Sequence, residues 1–219
     1  MENIRIAIKA FILIFAFFSL GYSQQIIVVN KFNEKELKDK FEKFVSRLDS
    51  AAISRKYPEI TKKILSSNPL QQAIALRMLS ESEDVNTIPW AILLLDSDEK
   101  YVRTYAGLSI EKVVSSIILK RRDDKYTQYV LIRPIQKDNV DLKPLAWIVL
   151  KLLRSEDPNL SSYAVTMARY LNLYEFEDEI LKLADNSHPA LSNTVKWAIE
   201  SFTLQKKYES NELLSPENK

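Results

Sequence analysis

The fold of this chain is decided by residues 68–96, NPLQQAIALRMLSESEDVNTIPWAILLLD, and by residues 157–185, DPNLSSYAVTMARYLNLYEFEDEILKLAD. The second stretch aligns with the first without a gap, so that Pro69 matches Pro158 and an alanine follows each proline at the sixth position. Self-similarity of this kind is typical of stacked helical units, because a single unit cannot bury its apolar face alone. The pattern therefore predicts a repeat protein.

Each of the two stretches predicts a pair of helices joined by a polar turn. The first half begins with Pro69 and carries apolar residues at helical spacing, while the second half opens at Thr87 and contains Pro89 before a run of Ile and Leu. Proline suits the first turn of a helix, where its missing N–H would have no partner in any case. The two prolines thus indicate where the two helices begin.

Prolines also recur with a constant period, from Pro58 to Pro89 and again from Pro158 to Pro189. The period predicts an earlier unit, with its first helix in residues 34–48 and its second helix opening at Pro58. Pro189 then opens a last unit. Counted in this way, the array contains about four and a half helical hairpins.

The third unit interrupts the period. Its first helix is expected to start at Lys100, one period after Pro69, and its second helix near position 120. The best match to Pro89 is instead Pro144, well beyond that position. The sequence therefore predicts an insertion of about 24 residues, the distance from position 120 to Pro144, and places it at about residues 116–141.

The unit resembles the HEAT-like repeats of the phycobilisome-lyase type. It shares with them an Asp or Asn before the proline, an alanine six residues after it, and an Ile/Leu-rich second helix that ends in Asp. The closest matches are residues 87–96 and 98–106, and the resemblance covers about residues 38–202. It implies an all-α, right-handed α-solenoid of HEAT-like helical hairpins.

The same resemblance implies Asp–Arg pairs between units. In this chain only Asp98 and Arg103 fit such a pair, because Gln72, Ser161 and Ser192 occupy the equivalent Arg positions. A regular polar ladder is therefore not expected, and apolar stacking must hold the units together.

The composition excludes several classes of site. The only glycines are Gly21 and Gly107, the chain has no cysteine, and its single histidine is His188, for which we expect a capping or turn role. Phosphate-binding loops need several glycines, and zinc sites or thiol nucleophiles need Cys or more than one His. We therefore predict no cofactor, no metal site and no enzymatic activity.

Residues 1–23 have the layout of a secretory signal peptide. Arg5 and Lys9 precede the uncharged run AFILIFAFFSLGY at residues 10–22, and Gly21 and Ser23 are small residues suited to cleavage after Ser23. The uncharged run is shorter than the roughly 20 residues that a membrane-spanning helix needs. We expect an exported protein, periplasmic or extracellular, with no transmembrane span after cleavage.

Cleavage would leave the formal net charge, +2 for the whole chain, close to zero. A strong basic field, which nucleic-acid binding requires, is therefore absent, and no nucleic-acid partner is expected. The repeat domain would cover residues 24–202, followed by a polar tail at 203–219. The oligomeric state stays open.

Trp90 is one candidate anchor for a partner. Its repeat equivalents are Glu59, Leu145 and Glu179, two of which are charged, so the position can face water. Exposed Trp residues often anchor interfaces. The alternative is a Trp that fills the space between units. Trp147 and Trp197 lie in apolar stretches, and we expect them in the core.

The insertion is the second candidate, because insertions in repeat proteins often lie on the binding face. It mixes basic and aromatic residues that can bind acidic groups or stack on rings, although a solvated charged loop explains the same pattern. The candidate residues are Lys120, Arg121, Arg122, Lys125, Tyr126 and Tyr129.

The sequence thus predicts an exported, non-enzymatic scaffold or adaptor that binds a protein or peptide partner through the second-helix face and the insertion. Alternatives are an envelope accessory protein that binds polysaccharide, or a hydrolase that uses paired carboxylates. A continuous apolar surface with an exposed Trp90 would favour the protein partner, whereas separated aromatic rings flanked by polar groups would favour sugar.

Overall fold

The computed structural model describes residues 33–120 and 141–209, and every regular element in these ranges is helical. The all-α prediction is confirmed for this part of the chain. The predicted signal peptide at residues 1–23 lies outside the described residues, as do residues 121–140 of the predicted insertion and the last ten residues of the predicted tail.

The α-helices are, in chain order, α1 Glu34–Val45, α2 Ser50–Lys56, α3 Pro58–Ile64, α4 Pro69–Ser80, α5 Ile88–Ile92, α6 Lys100–Lys120, α7 Ala146–Leu153, α8 Pro158–Leu171, α9 Glu177–Leu181 and α10 Pro189–Glu209. One turn of 3₁₀ helix precedes each of α5, α7 and α9, at Val85–Thr87, Lys143–Leu145 and Tyr174–Phe176. We call α4, α6, α8 and α10 the first helices, and α5, α7 and α9 the second helices. All of them belong to the compact unit Glu34–Lys219.

The first helices begin at the residues that the period predicts. α4 begins at Pro69 and α8 at Pro158, and the residues before them, Asn68 and Asp157, accept hydrogen bonds from backbone N–H groups of the first turn. α6 begins at Lys100, one period after α4, and α10 begins one period after α8. The first turn of a helix leaves backbone N–H groups without a partner in the helix. The capping side chains accept hydrogen bonds from some of these groups, and proline has no N–H that needs a partner.

The second helices follow the same spacing on either side of the insertion. The 3₁₀ turns before α5 and α9 start at Val85 and Tyr174, which are as far apart as the starts of α4 and α8. One period after Val85 is position 116, whereas the turn before α7 starts at Lys143. The third unit is therefore longer than the others by 27 residues, from position 116 to Lys143, whereas the proline comparison, from position 120 to Pro144, predicts 24.

The pairing of Pro144 with Pro89 is therefore out of register by three residues. Pro144 lies in the 3₁₀ turn before α7, whereas Pro89 is the second residue of α5. The structural equivalent of Trp90 in α7 is Ile148, which is buried. The two prolines looked equivalent because proline suits both a 3₁₀ turn and the first turn of an α-helix.

The ends of two first helices also differ from the predicted boundaries. α6 continues to Lys120, so residues 116–120 of the predicted insertion are helical. α10 continues to Glu209, seven residues beyond the predicted end of the repeat domain. Lys206, in this extension, forms an ion pair with Glu177 of α9.

Neighbouring units share their apolar faces. Each first helix packs against the next, α4 on α6, α6 on α8 and α8 on α10, and each second helix packs against the first helix that follows it. Ala75, Ala106 and Ala164, each six residues after a first-helix start, are completely buried. Small side chains at these positions let the helices approach closely and interdigitate.

α1 does not occupy the place that we predicted for it. Instead of forming a hairpin with α3, it packs against α7 and against the 3₁₀ turn Lys143–Leu145, and it buries Phe41 and Phe44 there. Glu34 of α1 pairs with Arg154 at 2.9 Å. α7 is apolar on almost all sides, so the face that does not contact α8 must also be buried by another element, and α1 packs there.

A polar side chain at the fourth residue of each first helix supports the preceding turn. In three units this side chain donates a hydrogen bond to a backbone carbonyl just beyond the preceding short helix. The pairs are Gln72 with Ser66 at 2.8 Å, Ser161 with Ser155 at 3.0 Å and Ser192 with Ala184 at 3.4 Å. Carbonyl groups that the end of a helix leaves unpaired are thereby satisfied.

Arg103 has the same role in α6. Its Nη1 donates to the backbone carbonyl oxygens of Ser97 and Asp98, at 2.5 and 2.9 Å. The Asp98–Arg103 pair that the resemblance implied is therefore a contact with the backbone of Asp98 rather than with its carboxylate. Gln and Ser can replace Arg in the other units because the acceptor is a carbonyl, which does not require a charged donor.

Candidate binding groove on the first helices

Trp90 is half-buried and tied to a neighbouring helix. Its indole Nε1 donates a hydrogen bond of 3.1 Å to the backbone carbonyl of Ser50, at the start of α2. A further contact joins the same two regions, since the backbone N–H of Asp49 donates to Asn86 Oδ1 at 2.8 Å. Trp90 thus links α5 to α2, and its polar group is already engaged.

The candidate residues of the insertion lie outside the described residues. They are Arg121, Arg122, Lys125, Tyr126 and Tyr129. Lys120 is the last residue of α6, and its side chain is also outside the described part. The role predicted for these residues stays a prediction.

Apolar and aromatic side chains that are exposed or half-buried recur at two positions of the first helices. The second residue is Leu70 in α4 and Tyr101 in α6, and the sixth is Ile74 in α4, Tyr105 in α6 and Tyr163 in α8. Leu70, Ile74 and Tyr101 are exposed, and the other two are half-buried. Apolar and aromatic side chains therefore recur on three neighbouring first helices, whereas we predicted the binding face on the second helices.

Trp197 belongs to the outward side of α10, and the expectation that it lies in the core is wrong. It is 59% exposed. The buried stripe of α10 consists of Leu191, Val195, Ala198 and Phe202. These follow a helical spacing of four, three and four residues, and Trp197 falls outside it. Its equivalent in α4 is the exposed Arg77.

An open groove of about 530 Å³ lies on this surface between α6 and α8. This volume is in the range of sites that bind small ligands or side chains. The lining residues are Lys100, Tyr101, Thr104, Tyr105 and Leu108 from α6, and Tyr163 from α8. Three tyrosine rings thus meet in one groove.

Gly107 allows α8 to approach α6 closely beside the groove. A Cβ atom at this position would lie 2.5 Å from Leu160 Cδ2 and 3.4 Å from Cδ2 of the Tyr163 ring. The first distance is too short for any carbon–carbon contact, so a side chain here would displace Leu160. The glycine therefore holds Tyr163 against α6, where its ring joins Tyr105 in the groove.

Lys100 stands at one end of the groove, in the position that proline occupies in the other first helices. Its ammonium lies 3.9 Å from the carboxylate of Asp157, which also accepts a hydrogen bond of 3.2 Å from the Thr104 hydroxyl. The Asp157 side chain is only 7% exposed. The negative charge of Asp157 is thus compensated at this end.

Glu111 lies one helical turn beyond Gly107, on the side of α6 that faces α8. Burial raises the pKa of Glu111, while a hydrogen bond with Ser115 and the charge of Lys112 act in the opposite direction. Among the residues that the structure describes, Glu111 forms no ion pair. Glu111 is therefore a partly buried carboxylate on which the charge of Lys112 acts, and it is not among the residues that line the groove.

The pKa of the Tyr163 hydroxyl is also raised. Burial is the largest cause, followed by the charges of Glu111 and Asp157 and by Tyr105. Burial and negative charge both favour the protonated, neutral form of the phenol. The phenol stays protonated at neutral pH and can donate a hydrogen bond.

The acidic residues around α9 are used in surface ion pairs. Glu177 pairs with Lys206, and Glu179 pairs with Lys182 at 3.0 Å and with Arg154 at 3.6 Å. Within residues 33–120 and 141–209, no group of three or more His, Asp or Glu side chains is placed to hold a metal ion. The same ranges contain no helix with the length and apolar character to cross a membrane.

His188 directly precedes α10. Its backbone N–H donates to Asn186 Oδ1 at 2.9 Å, and its carbonyl accepts a hydrogen bond from the N–H of Ser192 in the first turn of α10. The residue therefore lies at the turn into the helix, as expected. These contacts give its backbone a local role in the turn.

Comparison with protein-family models, with curated proteins and with solved structures gives no match. The likeness to HEAT-like repeats stays a prediction, and the function must be argued from the residues of this chain.

The groove was missed in the sequence analysis. None of Tyr101, Tyr105 and Tyr163 was among the predicted binding residues. A signal was present in the repeat itself, because the sixth residue is Ile74 in α4, Tyr105 in α6 and Tyr163 in α8, although it is Thr194 in α10. Comparing this position between units would have shown that it is apolar or aromatic in three of the four first helices, where a solvated face would be polar.

Proposed function

We propose that this chain is an exported, non-enzymatic helical-repeat protein of the α-solenoid type that binds a protein or peptide partner. The observation that carries the proposal is the groove of Tyr101, Tyr105 and Tyr163, which continues an exposed apolar surface with Leu70 and Ile74 on α4. Aromatic side chains dominate the binding energy of protein interfaces, and an apolar surface of this kind is typical of a partner site.

The location of this surface changes the predicted binding face. Trp90 was the anchor expected on the second helices, but its indole N–H is bonded to Ser50 and its ring is half-buried. The three tyrosines that share a groove, Tyr101, Tyr105 and Tyr163, lie on first helices instead. We therefore assign binding to the first helices and expect the insertion, which follows α6 in the chain, to extend the site.

A polysaccharide partner is the second candidate. Three tyrosine rings flanked by Lys100 and Thr104 combine flat apolar surfaces with hydrogen-bonding groups, which also suits sugars. The continuous apolar neighbours Leu70 and Ile74 favour a protein over a sugar. Export rests on the layout of residues 1–23, and the absence of an enzymatic role rests on the composition.

A selection from a random peptide display library tests the proposal. The affinity of each selected peptide is then measured for the wild type, for the double variant Tyr101→Ala/Tyr105→Ala and for the control Leu93→Ala. Leu93 is 62% exposed and directly follows α5, a second helix, so it matches the tyrosines in exposure but not in location. We expect binding to weaken about tenfold or more in the double variant and to stay unchanged in the control.

Equal affinity for the double variant and the wild type would contradict the assignment to the first helices. Loss of binding in Leu93→Ala alone would return the site to the second helices. A library without binders, together with hits on an oligosaccharide array, would favour the sugar alternative. Export has its own test, because the protein purified from its native host should begin at Gln24. An N-terminus at Met1 would contradict export.

A further inference from the structure

α4 lacks the neighbour that each later first helix has on one of its faces. The tenth residue of α6, Ser109, donates a hydrogen bond of 2.8 Å to the Leu76 carbonyl of α4. The sixth residue of α10, Thr194, lies 3.2 Å from Ser162 of α8, hydroxyl to hydroxyl. The sixth and tenth residues thus mark the face that meets the preceding first helix. The helix that the period predicts in this place before α4 is α1, which packs on α7 instead.

The corresponding face of α4 is apolar and open. Its sixth and tenth residues, Ile74 and Met78, are 45% and 43% exposed, whereas the tenth residue of each later first helix is at most 3% exposed. Leu70, one turn before Ile74, is 61% exposed. The three side chains follow one another at intervals of four residues, so they form a single stripe along α4. The end of a repeat array that faces water normally needs a polar outer face, so an apolar stripe here indicates an interface.

We propose that this stripe binds the same stripe of a second copy of the chain, with the two α4 helices antiparallel about a twofold axis at Ile74. The inference goes beyond the proposed function, because it names a second copy as the protein that covers Leu70 and Ile74. The groove of three tyrosines stays open to the partner, since its lining residues all belong to α6 and α8.

The stripe is complementary to itself in this arrangement. Ile74 is its midpoint, so Leu70 of one copy lies opposite Met78 of the other, and the two Ile74 side chains meet at the axis. Rows of side chains spaced by four residues on two helices interdigitate, as in the packing of helices inside proteins. The second copy thereby gives α4 the neighbour that α6, α8 and α10 have within the chain.

The polar residues beside the stripe favour the antiparallel orientation. Gln71 and Arg77 are exposed, and each lies three residues from Ile74. Antiparallel helices therefore place Arg77 opposite Gln71 of the second copy, whose amide oxygen can accept a hydrogen bond from the guanidinium. Arg77 also lies 3.9 Å from Glu81 of its own helix, a contact that leaves most of its N–H groups available. Parallel helices would instead bring two Arg77 side chains together and align the two helix dipoles.

Sedimentation velocity of the purified protein over a range of concentrations tests the inference. The contact is small for a specific interface, so we expect a reversible dimer with a dissociation constant on the order of 10 µM. Ile74→Glu places two carboxylates at the axis and should weaken the dimer at least tenfold. The control Leu93→Glu, at an exposed apolar residue that directly follows α5, should leave it unchanged.

Two results of this experiment would overturn the proposal. One is a protein that stays monomeric up to about 1 mM, a hundredfold above the expected dissociation constant. The other is a dimer that Ile74→Glu does not weaken, with circular dichroism showing that the variant is folded. Ile74 is exposed, so the substitution should not disturb the core of the monomer.

Charge changes at positions 71 and 77 test the orientation. These residues lie six apart on one helix and do not contact each other within a chain, so any coupling between them reports a contact between copies. Gln71→Glu should strengthen the dimer about threefold, and Gln71→Lys should weaken it about threefold, because each new charge faces Arg77 of the second copy. Adding Arg77→Glu to Gln71→Lys should restore the dimer. A double variant that dimerises no better than Gln71→Lys would overturn the antiparallel arrangement.

The peptide selection distinguishes this inference from the proposed function. If the protein dimerises through Ile74 but no peptide is selected, the proposed function fails and the dimer stands. If peptides that need Tyr101 and Tyr105 are selected and the protein stays monomeric, the dimer fails and the proposed function stands. Peptides that lose affinity for Ile74→Glu, selected by a protein that stays monomeric, would assign the stripe to the partner and overturn the proposal.

Discussion

The hydroxyl of Thr104 in α6 donates a hydrogen bond of 3.2 Å to the carboxylate of Asp157, the residue that caps α8. The other carboxylate oxygen accepts from the backbone N–H of Asn159 at 3.0 Å. One nearly buried side chain therefore starts one first helix and holds its neighbour, 53 residues away in sequence, at the end of the groove.

Asp157→Ala should lower the free energy of unfolding by about 2 kcal/mol, because it removes a helix cap and leaves the Thr104 hydroxyl without its acceptor on α8. Asp157→Asn keeps an oxygen acceptor for the cap and should lose less than about 1 kcal/mol. Urea unfolding measures both changes. A loss below about 0.5 kcal/mol in the alanine variant would show that this contact does not stabilise the fold.

Arg103→Ala should lower the free energy of unfolding by about 1 to 2 kcal/mol, because the Ser97 and Asp98 carbonyls lose their donor. Arg103→Gln should retain most of the stability, since Gln72 donates to the equivalent carbonyl in the preceding unit. Thermal unfolding of the two variants compares them directly. If Arg103→Gln is as unstable as Arg103→Ala, hydrogen bonding to the carbonyls alone does not explain the stabilisation, and the charge of Arg103 is also required.

Glu111→Gln should raise the melting temperature at pH 7. Because burial raises the pKa of Glu111 in the folded state, the folded chain binds more protons than the unfolded chain between the two pKa values. Its contribution to the free energy of unfolding therefore falls as the pH rises through that range. The gain from Glu111→Gln should shrink as the pH drops below about 4, where the carboxyl is protonated in both states.

The matched control for this experiment is Glu59→Gln, at an exposed position of α3. It should leave the melting temperature unchanged at both pH values. A lower melting temperature for Glu111→Gln at pH 7 would mean that the ionised carboxylate stabilises the fold, contrary to the effect expected from its burial.

Trp197→Arg should change the free energy of unfolding by less than about 0.5 kcal/mol, because the side chain is 59% exposed and the equivalent residue in α4 is Arg77. Phe202→Ala, in the buried stripe of the same helix, should cost about 3 to 5 kcal/mol. Urea unfolding of both variants tests which side of α10 faces the core. A large loss in Trp197→Arg would restore the core role first expected for this residue.

The starts of the first helices could be predicted because their signals are local. An Asx residue before a proline provides the cap and the fixed backbone angle within two residues, as at Asn68-Pro69 and Asp157-Pro158. The register of α7 was harder to predict, because the 3₁₀ turn that precedes α7 and the first turn of α5 both accept a proline. Only the spacing of whole elements distinguished them.

The place of α1 could not be predicted from the period. Its Phe41 and Phe44 form an apolar stripe that would fit many neighbours, and the one that it finds, α7, lies on the far side of the insertion in the chain. The choice depends on which apolar helix the rest of the fold leaves uncovered. That information is spread over the whole chain.

The sequence by itself determined that the described chain is helical and where most helices begin, because caps, prolines and apolar spacing act over a few residues. Only the tertiary structure decided that Tyr163 joins Tyr101 and Tyr105 in one groove, that Glu111 is partly buried, and that the indole N–H of Trp90 is hydrogen-bonded. The physical reason is that burial, ion pairing and the opening of a groove depend on neighbours from distant parts of the chain, and these neighbours meet only when the helices pack.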